Sequence, residues 1–89
     1  AAANVMPLIA SNRIGTERGE RWTVTYYGSS FIADHTGAIV KQADRESEAV
    51  ITATFDLDEI RDYRNAWGVF RDRRPDLYGP ILTLDGRTP

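Results

Sequence analysis

The chain of 89 residues has no cysteine, a single histidine (His35) and a single lysine (Lys41). Without cysteine it builds neither a disulfide framework nor a thiolate metal site, and it holds no thiol nucleophile. One histidine is too few for a His-based metal site, and it leaves Ser11, Ser29 and Ser30 without the activating base of a serine triad. No apolar run approaches the roughly 18 residues of a membrane span and no charged-then-apolar leader opens the chain, so no membrane partner is expected and a cytoplasmic setting fits. An excess of one charge is missing too. Eleven basic against thirteen acidic side chains give a net charge of -2, which supplies no field for a polyanion, and nucleic acid is not expected as a partner.

What is present is ordinary for a soluble domain: 42% hydrophobic and 27% charged residues. The length allows one domain, 1–89, which buries only about 60 to 65% of its unfolded surface and is marginally stable on its own. The opening "AAAN" favours helix, and Pro7 restricts Met6 to extended geometry, so the chain is expected to begin inside a helix and switch to strand. "PLIASNRIG" reads as a buried strand ending at Gly15, and "TERGER" as a polar loop. In "RWTVTYYG", Trp22, Val24 and Tyr26 alternate with Thr23, Thr25 and Tyr27, the period of a strand. "SSFIADHTGAIVKQAD" predicts a hairpin with Asp34 to Gly37 at its turn. Ala49, Ile51, Ala53 and Phe55 alternate with Val50, Thr52 and Thr54 in one more strand. These segments together predict an antiparallel meander.

Asp56 is placed to cap a helix with Glu59 as its reciprocal partner three residues on, Leu57, Ile60 and Trp67 fall near one face, and Gly68 stops it. Residues 1–69 thus hold the sheet and helix, and 70–89 an extended tail. Four or five strands with apolar side chains on both faces need two covering layers, and one helix supplies one. The missing layer is expected from another chain, a second copy, or an N-terminal part of the same gene product.

Few residues suggest chemistry. Asp56, Asp58, Glu59 and Asp62 crowd the helix start, where acids favour the dipole, so a metal or acid/base role is the lesser reading. His35 falls in a turn, as solvated polar residues do. "GTERG" has two glycines but neither the lysine nor the strand-to-helix setting of a phosphate loop. In the tail "WGVFRDRRPDLYGP", Arg71, Arg73 and Arg74 alternate with Asp72 and Asp76, which favours an ion-pair network over phosphate binding. Trp67, Phe70 and Tyr78 are of the types that anchor protein interfaces. Trp67, Phe70, Arg73, Arg74 and Tyr78 are therefore expected to bind protein, as a strap across a second subunit of a homo-oligomer.

Longer stretches carry a resemblance. "AAANVMPLIASNRIGTE", "YYGSSFIADHTGAIV" and "EAVITATFDLDEIRDYRNAWGVFRDRRPDLYGPILTLDG" resemble the C-terminal portion of the N-carbamoylputrescine amidases, within the nitrilase superfamily of carbon–nitrogen hydrolases. "NRIG", "YGSSFI" and "WGVFRDRRPDLY" are its specific pieces; "TGAIV" and "FDLDEI" point to the wider superfamily. The resemblance implies an α/β fold, a four-layer α-β-β-α sandwich of which this chain is a C-terminal fragment, its partner being the N-terminal remainder of the same enzyme. It also implies hydrolysis of a carbamoyl amide by a Cys nucleophile, a Glu base and a Lys, all upstream of the matched region, with no metal and no cofactor. None of the three carries over, and Lys41 does not match the catalytic lysine. His35 departs from the proline common before "TG", which alters a turn. Asn4 is implied to lie where a helix end meets the core strand, near the catalytic centre, or else to be a plain helix C-cap. The alternative to a hydrolase segment is a freestanding, non-catalytic β-rich interaction module.

With no thiol, and with no base to activate a serine, the purified 89-residue chain is expected to release no ammonia from N-carbamoylputrescine above a heat-killed control. Release above that control overturns this reading.

Overall fold

A computed structural model describes residues 1–87. The chain runs through five short strands, β1 (Leu8–Ala10), β2 (Ile14–Arg18), β3 (Thr23–Tyr27), β4 (Phe31–Ala33) and β5 (Ile39–Gln42), then one helix, α1 (Leu57–Trp67), and two single 3-10 turns, Pro75–Leu77 and Gly79–Leu82. It is an α/β piece with wholly antiparallel pairing among the described residues.

The expected meander divides into two sheets, one ordered β1-β4-β5 and one made of β2 and β3 alone. The two share one register. Ala10 pairs with Phe31, and four residues along each strand Ile14 pairs with Tyr27, so no residue is gained or lost between the ladders. They form one long hairpin interrupted at residues 11–13 and 28–30. There the chain bends through two consecutive left-handed residues, Gly28 and Ser29 (φ 56° and 60°), one backbone bond remains from the Gly28 N–H to the Arg13 carbonyl at 3.0 Å, and side chains supply the rest. The Ser30 hydroxyl accepts from the Asn12 N–H at 2.7 Å and donates to the Asn12 carbonyl at 3.3 Å, while Asn12 Nδ2 donates to the Gly28 carbonyl at 2.8 Å. "PLIASNRIG" is thus two strands with a polar joint, and Thr16–Arg18, expected in a loop, continue β2. Trp22, Val24 and Tyr27 remain exposed, because the β2–β3 arm has no layer packed on it.

The β4–β5 turn follows the sequence expectation. Asp34 Oδ1 accepts from the N–H and hydroxyl of Thr36 (2.8 and 2.6 Å) and from the Ala38 N–H (3.2 Å), and Gly37 takes the positive φ of 92° that such a turn requires. The helix is likewise bounded as its residues dictate. Asp56 accepts from the N–H groups of Asp58 and Glu59, and Gly68 closes the far end in left-handed geometry, donating to the Arg64 carbonyl. The reciprocal bond from the Glu59 side chain to Asp56 is not formed among the described residues. Of the three residues placed on the inner face, only Ile60 is buried; Leu57 and Trp67 remain largely open.

Three further expectations give way. Residues 2–5 form a turn rather than the end of a helix, residues 49–55 pair with no strand, and the tail folds into turns and 3-10 geometry. Residues 2–5 are held as a turn by the bonds from the Val5 and Met6 N–H groups to the Ala2 and Ala1 carbonyls, and residues 49–55 have no strand hydrogen-bonded to them among the described residues. The molecule is a slab of 53 × 40 × 13 Å with a radius of gyration of 19.8 Å, against about 12 Å for a compact domain of this length. Its accessible surface is 7533 Å², about 2,300 Å² more than the roughly 5,200 Å² of a compact protein of this mass. The buried hydrophobic core is Val5, Ile32, Ala33 and Ile60.

The caps give a direct check. Asp56→Ala is expected to lower stability by about 1 kcal/mol and Gly68→Ala by about 1 to 2 kcal/mol, whereas Asp58→Ala changes it by less than about 0.5 kcal/mol. Urea unfolding followed by helix ellipticity measures all three.

Candidate functional site

The strongest local constraint lies at the N-terminal turn. Val5 is 1% exposed and sits at φ 50°, a left-handed conformation that a β-branched side chain rarely adopts. Its carbonyl is held by Arg64 Nη2 at 2.7 Å across 59 residues of sequence, and its N–H and that of Met6 return to the carbonyls of Ala2 and Ala1. Helix α1 therefore fixes the turn from behind through Arg64. Asn4, with Met6 beside it, is exposed on the turn, immediately before β1. Strain of this kind persists only where the surroundings enforce it, and it collects at functional sites. Nothing in the sequence announced Val5; Asn4 is the residue type that ordinarily takes left-handed geometry.

Next to this turn is a cavity of about 190 Å³ lined by Ala2, Val5, His35, Tyr63 and Trp67. His35 packs edge-on against Tyr63 at 4.9 Å between ring centroids, and Tyr63 leads on to Trp67 at 6.1 Å. His35, expected as a solvated turn residue, is half-buried and is a joint between the β4–β5 turn and the helix. Its Nδ1 and the Nε of Arg64 are buried without a hydrogen-bond partner among the described residues.

On the β2–β3 arm, Arg13 bonds Glu17 at 2.5 Å and stacks its guanidinium 4.5 Å from the Tyr26 ring, whose hydroxyl donates to the same carboxylate at 3.0 Å. The Arg13 hydrogen bond, seconded by Tyr26, holds the Glu17 carboxyl below its ordinary range. Asp34 is lowered by the hydrogen bonds from Thr36, and Asp44 by the backbone N–H groups of Ser47 and Glu46. All three carboxylates serve turns and pairs. Among the described residues, no group of three His, Cys, Asp or Glu side chains is arranged to hold a metal ion, and no helix is long and apolar enough to cross a membrane.

The tail carries the other candidate residues. Arg74 pairs in bidentate fashion with Asp76 (2.6 and 3.0 Å), and Arg71 with Asp72 at 2.9 Å. Arg73 donates to the Phe70 carbonyl at 3.0 Å with its guanidinium 5.7 Å from that ring. Arg71 and Arg74 are thus paired with aspartates of the tail itself. The Tyr78 hydroxyl accepts from the Arg74 N–H at 2.9 Å and, with the 3-10 turns, fixes the bend around Pro75. Trp67, Phe70 and Tyr78 are exposed, and so are Leu77, Ile81, Leu82 and Leu84, which the sequence reading had not singled out. Their signal was available: four large aliphatic residues within eight positions of a polar tail. The structure brings His35, Tyr63 and Trp67 around Val5, the neighbour of Asn4 in the turn, and no nucleophile–base pair is formed among the described residues. What the arrangement offers is positioning and contact surface.

Known proteins share this sequence and this backbone. An N-carbamoylputrescine amidase of Arabidopsis thaliana is 60% identical over an alignment that covers 97% of the chain and 30% of the relative. A citrullinase of Francisella tularensis subsp. tularensis is 54% identical, covering 92% of the chain and 29% of the relative. A solved carbon–nitrogen hydrolase from Helicobacter pylori G27 superposes with a TM-score of 0.80 at 34% identity, over 93% of this chain and 29% of its own. The chain therefore spans about 30% of the length of the relatives it matches. The family model for carbon–nitrogen hydrolase matches residues 1–65, and the chain belongs to the carbon–nitrogen hydrolase family.

Proposed function

We propose that this chain is the C-terminal portion of a hydrolase that cleaves N-carbamoylputrescine, and that its own share is to position the site rather than to react. The observation that carries the reading is the 60% identity to an N-carbamoylputrescine amidase over 97% of the chain. In the reaction, a thiolate attacks the carbamoyl carbon, ammonia departs, and water hydrolyses the carbamoyl-enzyme to carbon dioxide and putrescine. One water is consumed in all, and the carbon leaves fully oxidised with no redox change. The nucleophilic Cys, the Glu base and the Lys that steadies the oxyanion belong to the polypeptide outside this chain. A four-layer sandwich is the frame in which they meet it. The proposed setting is the cytoplasm, where such a thiol stays reduced.

Asn4 is the residue of this chain proposed to stand nearest the reacting carbon. It is exposed on a turn whose strained Val5 is locked by Arg64, so its position is set before substrate arrives. The citrullinase relative supports a second reading of the substrate. Citrulline carries the same ureido group, with an amino-acid head in place of a primary amine, so the cleaved bond is of the same kind in both.

Residues 1–69 act as the sheet-and-helix part of the domain, and the tail is proposed to strap a second subunit in a homo-oligomer. Its contact is apolar, through Trp67, Phe70 and Tyr78, because Arg74 and Arg71 are already paired within the tail. Arg73, bonded among the described residues to the Phe70 carbonyl and to no carboxylate, is the arginine left to meet a carboxylate of the partner.

Two measurements bear on these readings. The full-length product that carries this chain is expected to turn over N-carbamoylputrescine with a kcat/KM at least about tenfold above that for citrulline, a difference of about 1.4 kcal/mol; the reverse order installs citrulline as the substrate. Truncation of that product after Gly68 is expected to shift its sedimentation to smaller species, and an unchanged sedimentation profile shows that the tail packs on its own subunit.

A further inference from the structure

Asp85 is the one aspartate of the chain that precedes a glycine. The peptide nitrogen of the following residue reaches an aspartyl carboxyl group by closing a small ring, and a Cβ on that residue crowds the approach; glycine carries none. The surroundings leave this pair open. The Asp85 side chain is 62% exposed, Leu84 before it is fully open to solvent, and a Cβ built on Gly86 meets nothing within 4 Å beyond its chain neighbours. Gly86 sits at φ 74°, in the left-handed region that glycine enters without strain. The last bond between backbone groups among the described residues runs from the Thr83 N–H to the Pro80 carbonyl, and the Gly86 N–H has no partner among them. The carboxyl group is also held on the correct side. Asp85 Oδ1 accepts from the Arg87 N–H at 3.0 Å, closing an Asx turn whose ring of atoms runs from Cγ past the Gly86 nitrogen. Arg87 Nε lies 3.7 Å from the other carboxylate oxygen, an exposed pair that restrains the group little. Other aspartates are more firmly engaged. Asp34, Asp44 and Asp56 each accept two bonds from backbone N–H groups. Asp76 is clamped by Arg74, and the N–H that follows it is bonded to the Arg74 carbonyl at 2.9 Å.

We propose that the Asp85-Gly86 bond is a site of backbone self-modification, where aspartate converts through a succinimide to isoaspartate. The Gly86 nitrogen attacks Cγ of the protonated Asp85 carboxyl and gives up its own proton. The carboxyl O–H leaves with that proton as water, and the new N–Cγ bond completes the ring. Water then adds at one of the two ring carbonyls. Breaking the N–Cγ bond restores aspartate, whereas breaking the bond from the Asp85 carbonyl carbon to the Gly86 nitrogen leaves isoaspartate, its backbone running through Cβ and Cγ. One water leaves and one returns, so no oxidant, reductant or further reactant is needed. The product has a backbone one carbon longer and a free carboxylate on Cα, the group that carboxyl methyl transfer from S-adenosylmethionine esterifies. The Asx turn to Arg87 is lost with it. The chain end is thereby re-aimed beyond Trp67, Phe70 and Tyr78, and this chemistry is independent of which ureido compound the hydrolase cleaves.

Trypsin frees residues 74–87 as one peptide, because Pro75 blocks cleavage after Arg74, and that peptide carries Asp76 as an internal control. In the folded full-length product aged at neutral pH, electron-transfer fragmentation is expected to find isoaspartate at Asp85 at least about tenfold above that at Asp76, a barrier difference of about 1.4 kcal/mol. A carboxyl methyltransferase supplied with labelled S-adenosylmethionine is expected to mark the same peptide. Asp85→Asn gives an independent reading, since an amide is attacked in the same geometry and releases ammonia: the folded variant is expected to convert to a mixture of aspartate and isoaspartate at residue 85. Gly86→Val is expected to lower isoaspartate formation at Asp85 by at least about tenfold. Isoaspartate at Asp85 no higher than at Asp76 overturns the proposal. So does an Asp85→Asn product that stays unconverted while folded and converts only when unfolded, because the native tail then keeps the Gly86 nitrogen away from Cγ.

Discussion

A sheet with apolar side chains on both faces must be covered on both, and in this molecule that requirement is met on neither face in full. Sheets pack about 10 Å from the layer that covers them, so a body 13 Å thick has room for little more than the sheet and the helix laid at one end. The consequences run through the whole chain. Ile9 and Val24 stay open, β5 keeps a bare edge, and residues 49–55 alternate in exposure with no backbone hydrogen bond among the described residues. The same shortage explains why the buried hydrophobic core is confined to Val5, Ile32, Ala33 and Ile60, where turn, central strand and helix converge.

Two polar joints keep the slab in one shape. Asn12 and Ser30 exchange hydrogen bonds where the long hairpin changes sheets, so the bend is specified without losing register. Arg64 ties the helix to the Val5 carbonyl, and His35 packs on Tyr63 beside it. Both joints rely on side-chain donors and aromatic edges, because hydrophobic burial is scarce here and backbone groups at bends must still find partners. The strain at Val5 is tolerated because Arg64 and the turn bonds to Ala1 and Ala2 determine its position.

The division of labour in the proposed hydrolase follows from this. A chain without a thiol supplies no nucleophile, but a strained turn fixed by a helix supplies a firm place for a polar side chain, and Asn4 stands there. The tail adds a different resource. Its ion pairs close on themselves and its Trp, Phe, Tyr and Leu side chains face outward, an arrangement suited to apolar contact with a rigid partner surface.

Local rules written in single residues were legible from the sequence. The Asp56 cap, the Gly68 stop, the Asp34–Gly37 turn and the alternation in 49–55 each depend on a few neighbouring side chains, so composition and spacing were sufficient to determine them. The stretches "NRIG" and "YGSSFI", on which the family resemblance rested, hold the Asn12 and Ser30 joint where the hairpin bends. What only the tertiary structure decided were relations between residues far apart in the chain. These include the division of the meander into two sheets, the hold of Arg64 on Val5, the packing of His35 on Tyr63, and the folding of the tail arginines onto their own aspartates. The alternation in 49–55 encodes a strand, but pairing requires a second backbone at hydrogen-bonding distance, and no local pattern specifies whether one is present. Burial and pairing are properties of what surrounds a residue, and no local pattern carries them.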